Sequence, residues 1–473
     1  MNKIFAVFDA LFCIFQRFRL WFLITYFSFI ILANFDVCAQ QLPPEQIFEE
    51  AISFLVKTQC DSTINGKQYA GEWPVYMNLN EPYFFIGRKQ KARDSNCFNI
   101  SAVHNFLAEI YLQDTSLLEL KPVLAKAFQE IQSYEVDKRY NFWKLLPPNR
   151  KLYWIGRDPK LLVRRPTNYR LRSRFINKTA NVPEDADDTA QANTAVYYHN
   201  RIFKDTVSAL SYLGFDEFLD TKRKNRNWYN VTTPTPRHSG AFLTWHYPEY
   251  QYTFWNPVNS FFSLMFIFTP FSSGFPVAYQ PWVPFGSNDV DVVVNSNVLN
   301  YLALSRQTSE SEGKNGAIKL IEYCINKKLW HSAGVYYPNY YHIDYAVAKA
   351  YANGIKELQS VAGKIAQHLL ESQNPDGSFE SSKWVNKKDI VQSTAYALHA
   401  MLDLCLGGTE IPDENIKKAF AFLLSKAQRN NGICYWEGGV YFSGGTLLRN
   451  ILIWQSDAYT TAMIAKCFQR YYL

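Results

Sequence analysis

Four acidic side chains crowd together near the middle of the chain, in the run Glu184-Asp185-Ala186-Asp187-Asp188. A helix start needs only one capping acid. Carboxylates this close repel one another, so at least one pKa rises and a proton can be shared. A carboxylic acid that stays protonated at neutral pH can protonate a weak base such as an alkene or a glycosidic oxygen. The spacing therefore indicates general acid chemistry, with a metal-binding acidic turn or a solvated helix start as the alternatives.

The elements that would position these acids alternate between amphipathic helices and helices that are apolar nearly all round. Leu358–Gln373 is amphipathic and ends at a turn signal, and Asp389–Leu406 is more continuously apolar. The unit recurs as Ile416–Gln428 and a last helix that starts at Asp457. Looser copies bring the total to about six pairs. These copies are Gln46–Gln59 with Phe98–Leu112, Leu120–Tyr134 with Asp187–Tyr198, the single helix Asn288–Leu304, and Asn315–Lys328 with Ile343–Tyr351.

This alternation predicts an all-α fold, an (α/α)6 toroid. A helix that is apolar on every side must be buried, whereas an amphipathic helix can face water, so the two kinds form an inner and an outer ring. An open α-solenoid satisfies the same periodicity. The closed ring is favoured because the inner helices begin with acids that would converge on one mouth, although helix capping explains most of these acids equally well. The acids are Asp94, Asp185, Asp187, Asp188, Asp289, Asp291, Asp344, Asp389 and Asp457.

Two motifs resemble a known superfamily. The run from Asp185 to Ala190 resembles the D-x-D-D-T-A signature of class II terpene cyclases, the group of squalene–hopene cyclase and its diterpene relatives. The run from Gln373 to Phe379 is similar to the Q-x-x-D-G-x-W repeat of the wider terpenoid cyclase and protein prenyltransferase superfamily. The resemblance implies a toroid over most of the chain and an acid-initiated isoprenoid cyclase, an isomerase. In such a cyclase Asp187 would deliver the initiating proton, Asp185 and Asp188 would adjust the acidity of Asp187, and aromatic side chains would stabilise carbocations.

The chain also departs from these families. Class II cyclases generally use two helical domains, whereas this chain has room for one toroid with insertions. The D-D-x-x-D motif of ionising cyclases is absent from the sequence, and no histidine follows His399 to complete a prenyltransferase zinc site. We therefore expect no metal ligands and no cofactor, except Mg²⁺ if the substrate is a diphosphate.

Two other functions remain open at this stage. One is a polysaccharide-degrading (α/α)6 enzyme with Asp187 and Asp291 as acid and base, placed about 5–10 Å apart across an open groove. The other is a non-catalytic binding protein that keeps only the toroid. Four helical histidines are interpreted as core or surface residues rather than ligands: His104, His199, His368 and His399.

Two insertions, at about 135–180 and 205–287, carry candidate ligand-binding residues. Arg150 to Lys178 contains ten Lys and Arg residues against one acid. Arg164 and Arg165 in it are candidates for binding a diphosphate, an acidic polysaccharide or anionic lipid headgroups, unless the insertion is merely solvated. Phe242–Phe285 is rich in aromatic residues and proline, which predicts a lid or binding surface, with core packing or membrane contact as the alternatives. Its candidate ligand-binding residues, with the two acids that follow it, are Trp245, Trp255, Trp282, Asp289 and Asp291.

Composition limits the partners. The chain has 473 residues, is 48% hydrophobic and carries a formal charge of +7, which is mild for its length and argues against nucleic-acid binding. Its 12 Trp, 31 Tyr and 35 Phe suit either a pocket for a large ligand or a bulky core. We expect a hydrophobic or polyanionic ligand and, as a weaker alternative, peripheral contact with a membrane. The oligomeric state is not encoded in any pattern found.

The N-terminal residues have the pattern of a secretory signal. Lys3, Arg17 and Arg19 precede the apolar run Leu20–Ala33, and Val37-Cys-Ala39 ends with residues that a signal peptidase reads. We predict a signal peptide over 1–39, a toroid domain over 40–473, and a secreted or periplasmic location. A signal anchor that is not cleaved and holds the protein at a membrane is the alternative.

Overall fold

In a computed structural model of the protein, the described residues are 43–80, 91–147, 162–168, 180–223, 234–246, 288–381, 389–445 and 449–473. The chain divides into two compact units, residues 1–47 and 48–473. The fold below is that of the second unit, except that its first helix begins at Pro44. No helix among the described residues is both long and apolar enough to cross a bilayer. The predicted signal segment 1–39, Trp255 and Trp282 lie outside the described residues, as do most of the basic segment and most of the aromatic segment.

The described residues contain twelve α-helices and a few short strands. The helices are α1 Pro44–Thr58, α2 Cys97–Gln113, α3 Leu120–Gln132, α4 Ala186–Phe203, α5 Tyr212–Asp216, α6 Val292–Leu304, α7 Lys314–Asn326, α8 Tyr340–Ala352, α9 Gln359–Ser372, α10 Ile390–Gly407, α11 Asp413–Lys426 and α12 Asp457–Tyr472.

Six of these helices form a closed inner ring. Helix α2 packs on α4, α4 on α6, α6 on α8, α8 on α10, α10 on α12, and α12 packs back on α2. These helices are buried on nearly every side, as in α10, where every residue from Gln392 to Leu404 is buried. A helix with no polar face cannot border water, so the apolar segments of the sequence occupy the centre. The expected α/α toroid is thereby confirmed, and the open solenoid is excluded.

Amphipathic helices cover the ring from outside. Helix α3 packs against α2 and α4, α7 against α6, α9 against α8 and α10, and α11 against α10. Between α4 and α6 the described residues hold only the five-residue α5 and a 3-10 turn, Asp220–Lys222, where a full outer helix would lie. The number of complete helix pairs is therefore not established as six.

Most helix bounds follow the predicted ones to within a few residues, the largest shift being at the end of α4, which extends to Phe203 instead of Tyr198. Two other shifts have local causes. The predicted helix Asn288–Leu304 begins only at Val292, because the Asp291 side chain caps it by accepting from the backbone N–H groups of Val293 and Val294. The helix predicted from Ile343 begins at Tyr340, because Asn339 caps it three residues earlier.

A four-stranded antiparallel sheet lies at the end of the ring where inner helices begin, which is called the mouth below. Its strands are β1 Val75–Leu79, β2 Ala92–Asp94, β9 Val440–Gly444 and β10 Leu452–Gln455. They lie in the order β2-β1-β10-β9, and β2 and β10 lead directly into α2 and α12. The described residues also form three two-stranded antiparallel sheets: β3 Glu135–Val136 with β4 Arg139–Tyr140, β5 Leu145–Leu146 with β6 Val163–Arg164, and β7 Gln428–Asn430 with β8 Ile433–Tyr435.

Candidate active site

The acid cluster lies at the start of inner helix α4. Asp185 is the N-cap residue, and its Oδ1 accepts from the backbone N–H of Asp188 at 2.7 Å. The preceding chain is extended, with an antiparallel bridge between Asp185 and Trp245. Asp185, Asp187 and Asp188 are 5%, 4% and 3% exposed, so the sequence places three carboxyl groups in a water-poor site that needs only one cap.

Asp187 reaches into the ring from this helix. Its Oδ1 accepts from Nδ2 of Asn297 on α6 at 2.7 Å, and its buried Oδ2 has no hydrogen-bond partner among the described residues. Burial raises the pKa of Asp187 well above its usual range, and the charges of Asp185 and Asp291 add to this rise, while the Asn297 hydrogen bond opposes it. Burial is the main cause that raises the pKa of Tyr459 on α12, and the Asp187 carboxyl adds to this rise. Burial and the neighbouring carboxyl groups thus favour the protonated form of Asp187.

The other two aspartates, Asp185 and Asp188, differ in whether the ionised or the protonated form is favoured. Burial raises the pKa of Asp185 to about 7, but hydrogen bonds from the backbone and side chain of Asp188 and from the backbone of Asp187 favour its ionised form. Burial and repulsion from Asp185 and Asp187 raise the pKa of Asp188 well above its usual range, and its side chain hydrogen-bonds to Asp185. Asp185 thus carries the negative charge most readily, and Asp187 and Asp188 keep their protons.

Aromatic side chains from several inner helices and from the mouth sheet stack on one another in the interior of the ring. The Tyr441 ring lies 5.6 Å from that of Phe98 and 4.7 Å from that of Tyr459. The hydroxyl of Tyr396 bonds that of Tyr459 at 3.1 Å, and its ring stacks on His342 at 4.3 Å. Aromatic faces attract a cation, so this wall can stabilise positive charge that develops beside Asp187.

Asp291 has a structural role in this arrangement. Its Oδ1 accepts from the backbone N–H groups of Val293 and Val294, and its Oδ2 accepts from those of Val335 and Tyr336. Burial raises its pKa to about 6, and these four donors oppose the rise. Both oxygens are thus committed to joining the start of α6 to the loop before α8.

Asp289 and Trp245 lie next to the segments that the Asp291 side chain joins. The backbone carbonyl of buried Asp289 accepts from the backbone and hydroxyl of Thr244. The Trp245 indole donates to the Tyr336 hydroxyl at 3.1 Å and is only 8% exposed. Trp245 therefore is not an open aromatic platform.

The two candidate arginines point in different directions. Arg164 is buried, donates to Glu184 at 2.6 Å and to the Trp143 carbonyl at 3.2 Å, and its charge lowers the pKa of Asp188. Arg165 instead donates to the Pro147 carbonyl at 2.7 Å. Only Arg164 adjoins the acid cluster.

The other acids near inner-helix starts do not cap these helices, contrary to the capping expected from the sequence: Asn96, Asn339 and Ser456 cap α2, α8 and α12, and Asp389 makes no capping bond to α10. Their carboxylates hold neighbouring segments in place instead. The bonds are Asp94 to the indoles of Trp143 and Trp454, Asp344 to Trp330 and His368, Asp389 to the backbone N–H of Val440, and Asp457 to that of Gly438.

Asn297 and a buried network around His399 were not predicted from the sequence. His399 Nδ1 lies 3.0 Å from Oδ2 of Asp403, whose Oδ1 accepts from Arg470 at 2.7 Å. The spacing of four residues puts His399 and Asp403 on one face of a helix, and this was the available signal. In the part of the chain that the structure describes, no group of three or more His, Cys, Asp and Glu side chains is placed to hold a metal ion.

No protein-family model and no curated protein matches this sequence. Among solved structures, a protein from Actinoplanes is similar at 12% identity, over 90% of this chain and 99% of that chain, with a TM-score of 0.50. Type II terpene cyclase MstE from Scytonema is similar at 12% identity over 90% and 97% of the two chains, with a TM-score of 0.46. A cellobiose 2-epimerase from Spirochaeta thermophila is similar at 10% identity, over 90% of this chain and 94% of that chain, with a TM-score of 0.46. At these identities the likeness concerns the fold alone.

Proposed function

We propose that this chain is an acid-initiated isoprenoid cyclase in which Asp187 donates the first proton. The observation that carries the proposal is the Asp187 carboxyl itself. Asn297 fixes one oxygen, and the other is buried and without a hydrogen-bond partner among the described residues. Its raised pKa keeps a proton available there for a weak base such as an alkene.

The residues around Asp187 can stabilise both products of that first step, the Asp187 carboxylate and the carbocation. When the O–H bond of Asp187 breaks, its electron pair stays on the carboxylate, and the alkene π pair forms the new C–H bond. The amide N–H of Asn297 and the N-terminus of α4 stabilise the carboxylate left behind. Tyr459 and its aromatic neighbours stabilise the carbocation.

Two observations weigh against polysaccharide cleavage. A glycosidase needs a second carboxylate that is free to act as base or nucleophile, whereas both oxygens of Asp291 accept from backbone N–H groups. Trp245, the one of the three candidate tryptophans that lies among the described residues, is buried against Tyr336 and so presents no open face on which a sugar ring could stack.

The test is turnover in deuterium oxide with three substrates: squalene, geranylgeranyl diphosphate with Mg²⁺, and an acidic polysaccharide. The proposal predicts a cyclic product from an isoprenoid, with one deuterium delivered at the carbon that is protonated first. Asp187→Asn should lower turnover by about 10²- to 10⁴-fold, because the amide is no acid. The matched control is Asp457→Asn, at the start of α12, where an amide oxygen can still accept from Gly438, and its turnover should be unchanged.

Three outcomes would contradict the proposal. Full activity of Asp187→Asn would exclude this residue as the proton donor. Cleavage of the polysaccharide without any isoprenoid product would favour the glycosidase. A wild-type protein that transforms none of the three substrates would favour the non-catalytic binding protein.

A further inference from the structure

Two buried lysines meet one glutamate in the half of the ring away from the mouth. Glu109 lies on α2, Lys349 on α8 and Lys466 on α12, and both lysines are buried. Nζ of Lys466 contacts Oε2 of Glu109, and Nζ of Lys349 lies 3.3 Å from Oε1. The hydroxyl of Tyr198 on α4 donates to the same Oε1 at 3.0 Å. Each oxygen of this carboxyl group is thus engaged by a different amine.

Burial makes the two amines unequal. Nζ of Lys466 lies 5.9 Å from the ring centre of Phe106, and Nζ of Lys349 lies 5.5 Å from it. Burial lowers the pKa of Lys466 well below its usual range, and the charge of Arg470 lowers it further. Burial lowers the pKa of Lys349 only to about 8. Lys466 is therefore the amine that more readily loses its proton and becomes a nucleophile, and Lys349 is the one that keeps a proton to donate.

An uncharged amine in contact with a carboxyl group can condense with it to an amide. Nζ of Lys466 attacks the carboxyl carbon Cδ of Glu109, and negative charge develops on Oε1, where the donors of Tyr198 and Lys349 stabilise it. The Nζ–Cδ bond forms and the Cδ–Oε2 bond breaks. Oε2 leaves as water with the acid proton of Glu109 and one proton of the attacking amine. The step consumes no oxidant, reductant or other reactant.

We propose that Glu109 and Lys466 form an isopeptide bond, a self-catalysed modification that joins the first and the last helix of the inner ring. Helices α2 and α12 hold these positions in the chain and pack on each other where the ring closes. A covalent bond between them keeps the ring closed when its other contacts open. The Glu109 side chain is 17% exposed, so the released water can reach the solvent, whereas the amine that attacks is buried. The inference is independent of the proposed function.

Another shielded lysine and glutamate lack this combination. Nζ of Lys144 lies 2.6 Å from Oε1 of Glu130, and little of either side chain is exposed. The centre of the Tyr69 ring lies 3.5 Å from this Nζ and stabilises its positive charge. Among the described residues, no second lysine or arginine forms an ion pair with Glu130. Lys144 is therefore a matched control, a shielded lysine on a carboxylate without a second amine.

The test is peptide mapping of the denatured full-length protein by tandem mass spectrometry. Wild type should yield a branched peptide that joins Glu109 to Lys466 and is lighter than its two separate parts by one water, while Glu130 and Lys144 stay unlinked. Lys466→Arg should yield only separate peptides, because a guanidinium keeps the ion pair but stays protonated and cannot attack. Lys144→Arg should leave the bond intact. Lys349→Gln should slow its formation in freshly synthesised protein by about 10²- to 10⁴-fold, the usual contribution of a general acid.

The decisive measurement is made on wild type and needs no variant to fold. Separate peptides from wild type would overturn the proposal and leave the contact as an ion pair. A branched peptide that persists in Lys466→Arg would show that another lysine is linked and would refute the assignment. If circular dichroism shows that Lys466→Arg does not fold, Glu109→Met serves as the second variant and should likewise lack the branched peptide. An unchanged rate in Lys349→Gln would refute the role of Lys349 as the proton donor.

Discussion

Two substitutions of the same type, Asp291→Asn and Asp187→Asn, should destabilise the protein to different extents. Asp291 accepts four backbone N–H groups, two at each oxygen. An asparagine keeps one acceptor oxygen and turns an NH₂ group towards the other two donors. Each buried donor left unpaired costs about 1–3 kcal/mol, so two cost about 2–6 kcal/mol. Asparagine also relieves the cost of burying a charge, which the raised pKa of about 6 records. We therefore expect a loss near the lower limit, about 2 kcal/mol.

Asp187→Asn should cost less than about 1 kcal/mol. The amide oxygen can still accept from Asn297, and the NH₂ group replaces a hydroxyl at an oxygen without a hydrogen-bond partner among the described residues. Urea unfolding followed by tryptophan fluorescence measures both variants against wild type. If Asp187→Asn lost more free energy of unfolding than Asp291→Asn, the acid cluster would be structural and our assignment of the two carboxylates would be refuted.

Two further predictions concern pH and processing. The pKa values of three aspartates, Asp185, Asp187 and Asp188, are raised, so the folded protein retains protons that the unfolded chain releases. The free energy of unfolding should therefore fall as pH rises from about 4 to about 7. Urea titrations at several pH values measure this dependence, and Asp187→Asn should flatten it. A rise in stability over that range would contradict the buried-acid description. We also predict that the purified native protein begins at Gln40 in N-terminal mass spectrometry, whereas an intact Leu20–Ala33 would favour the signal anchor.

Much of the fold was predictable because the hydrophobic pattern of the helices repeats along the sequence. Inner helices such as Ile390–Gly407 are apolar on nearly all sides, and outer helices such as Gln359–Ser372 bury one face, so the order of elements and their division into an inner and an outer layer follow from the hydrophobic pattern. Closure of the ring does not follow from this pattern, because an open solenoid has the same periodicity. The acid cluster was predictable because its members are adjacent in the chain.

The partners of the acids were not predictable, because they come from distant segments. Asn297 reaches Asp187 from another inner helix, and the role of Asp291 depends on backbone groups in the loop before α8. Arg164 and Arg165 are neighbours in sequence, but successive side chains of extended backbone point to opposite sides, so only Arg164 meets the acids.

The protonation state of Asp187 tests the central claim most directly and needs no substrate. Infrared difference spectra between wild type and Asp187→Asn at neutral pH detect the C=O stretch of a protonated carboxyl group. We predict such a band in wild type and its loss in the variant, because burial and repulsion from Asp185 raise the pKa of Asp187 well above its usual range. A difference spectrum that shows an ionised carboxylate in wild type instead would contradict the claim that Asp187 is an acid poised to donate a proton.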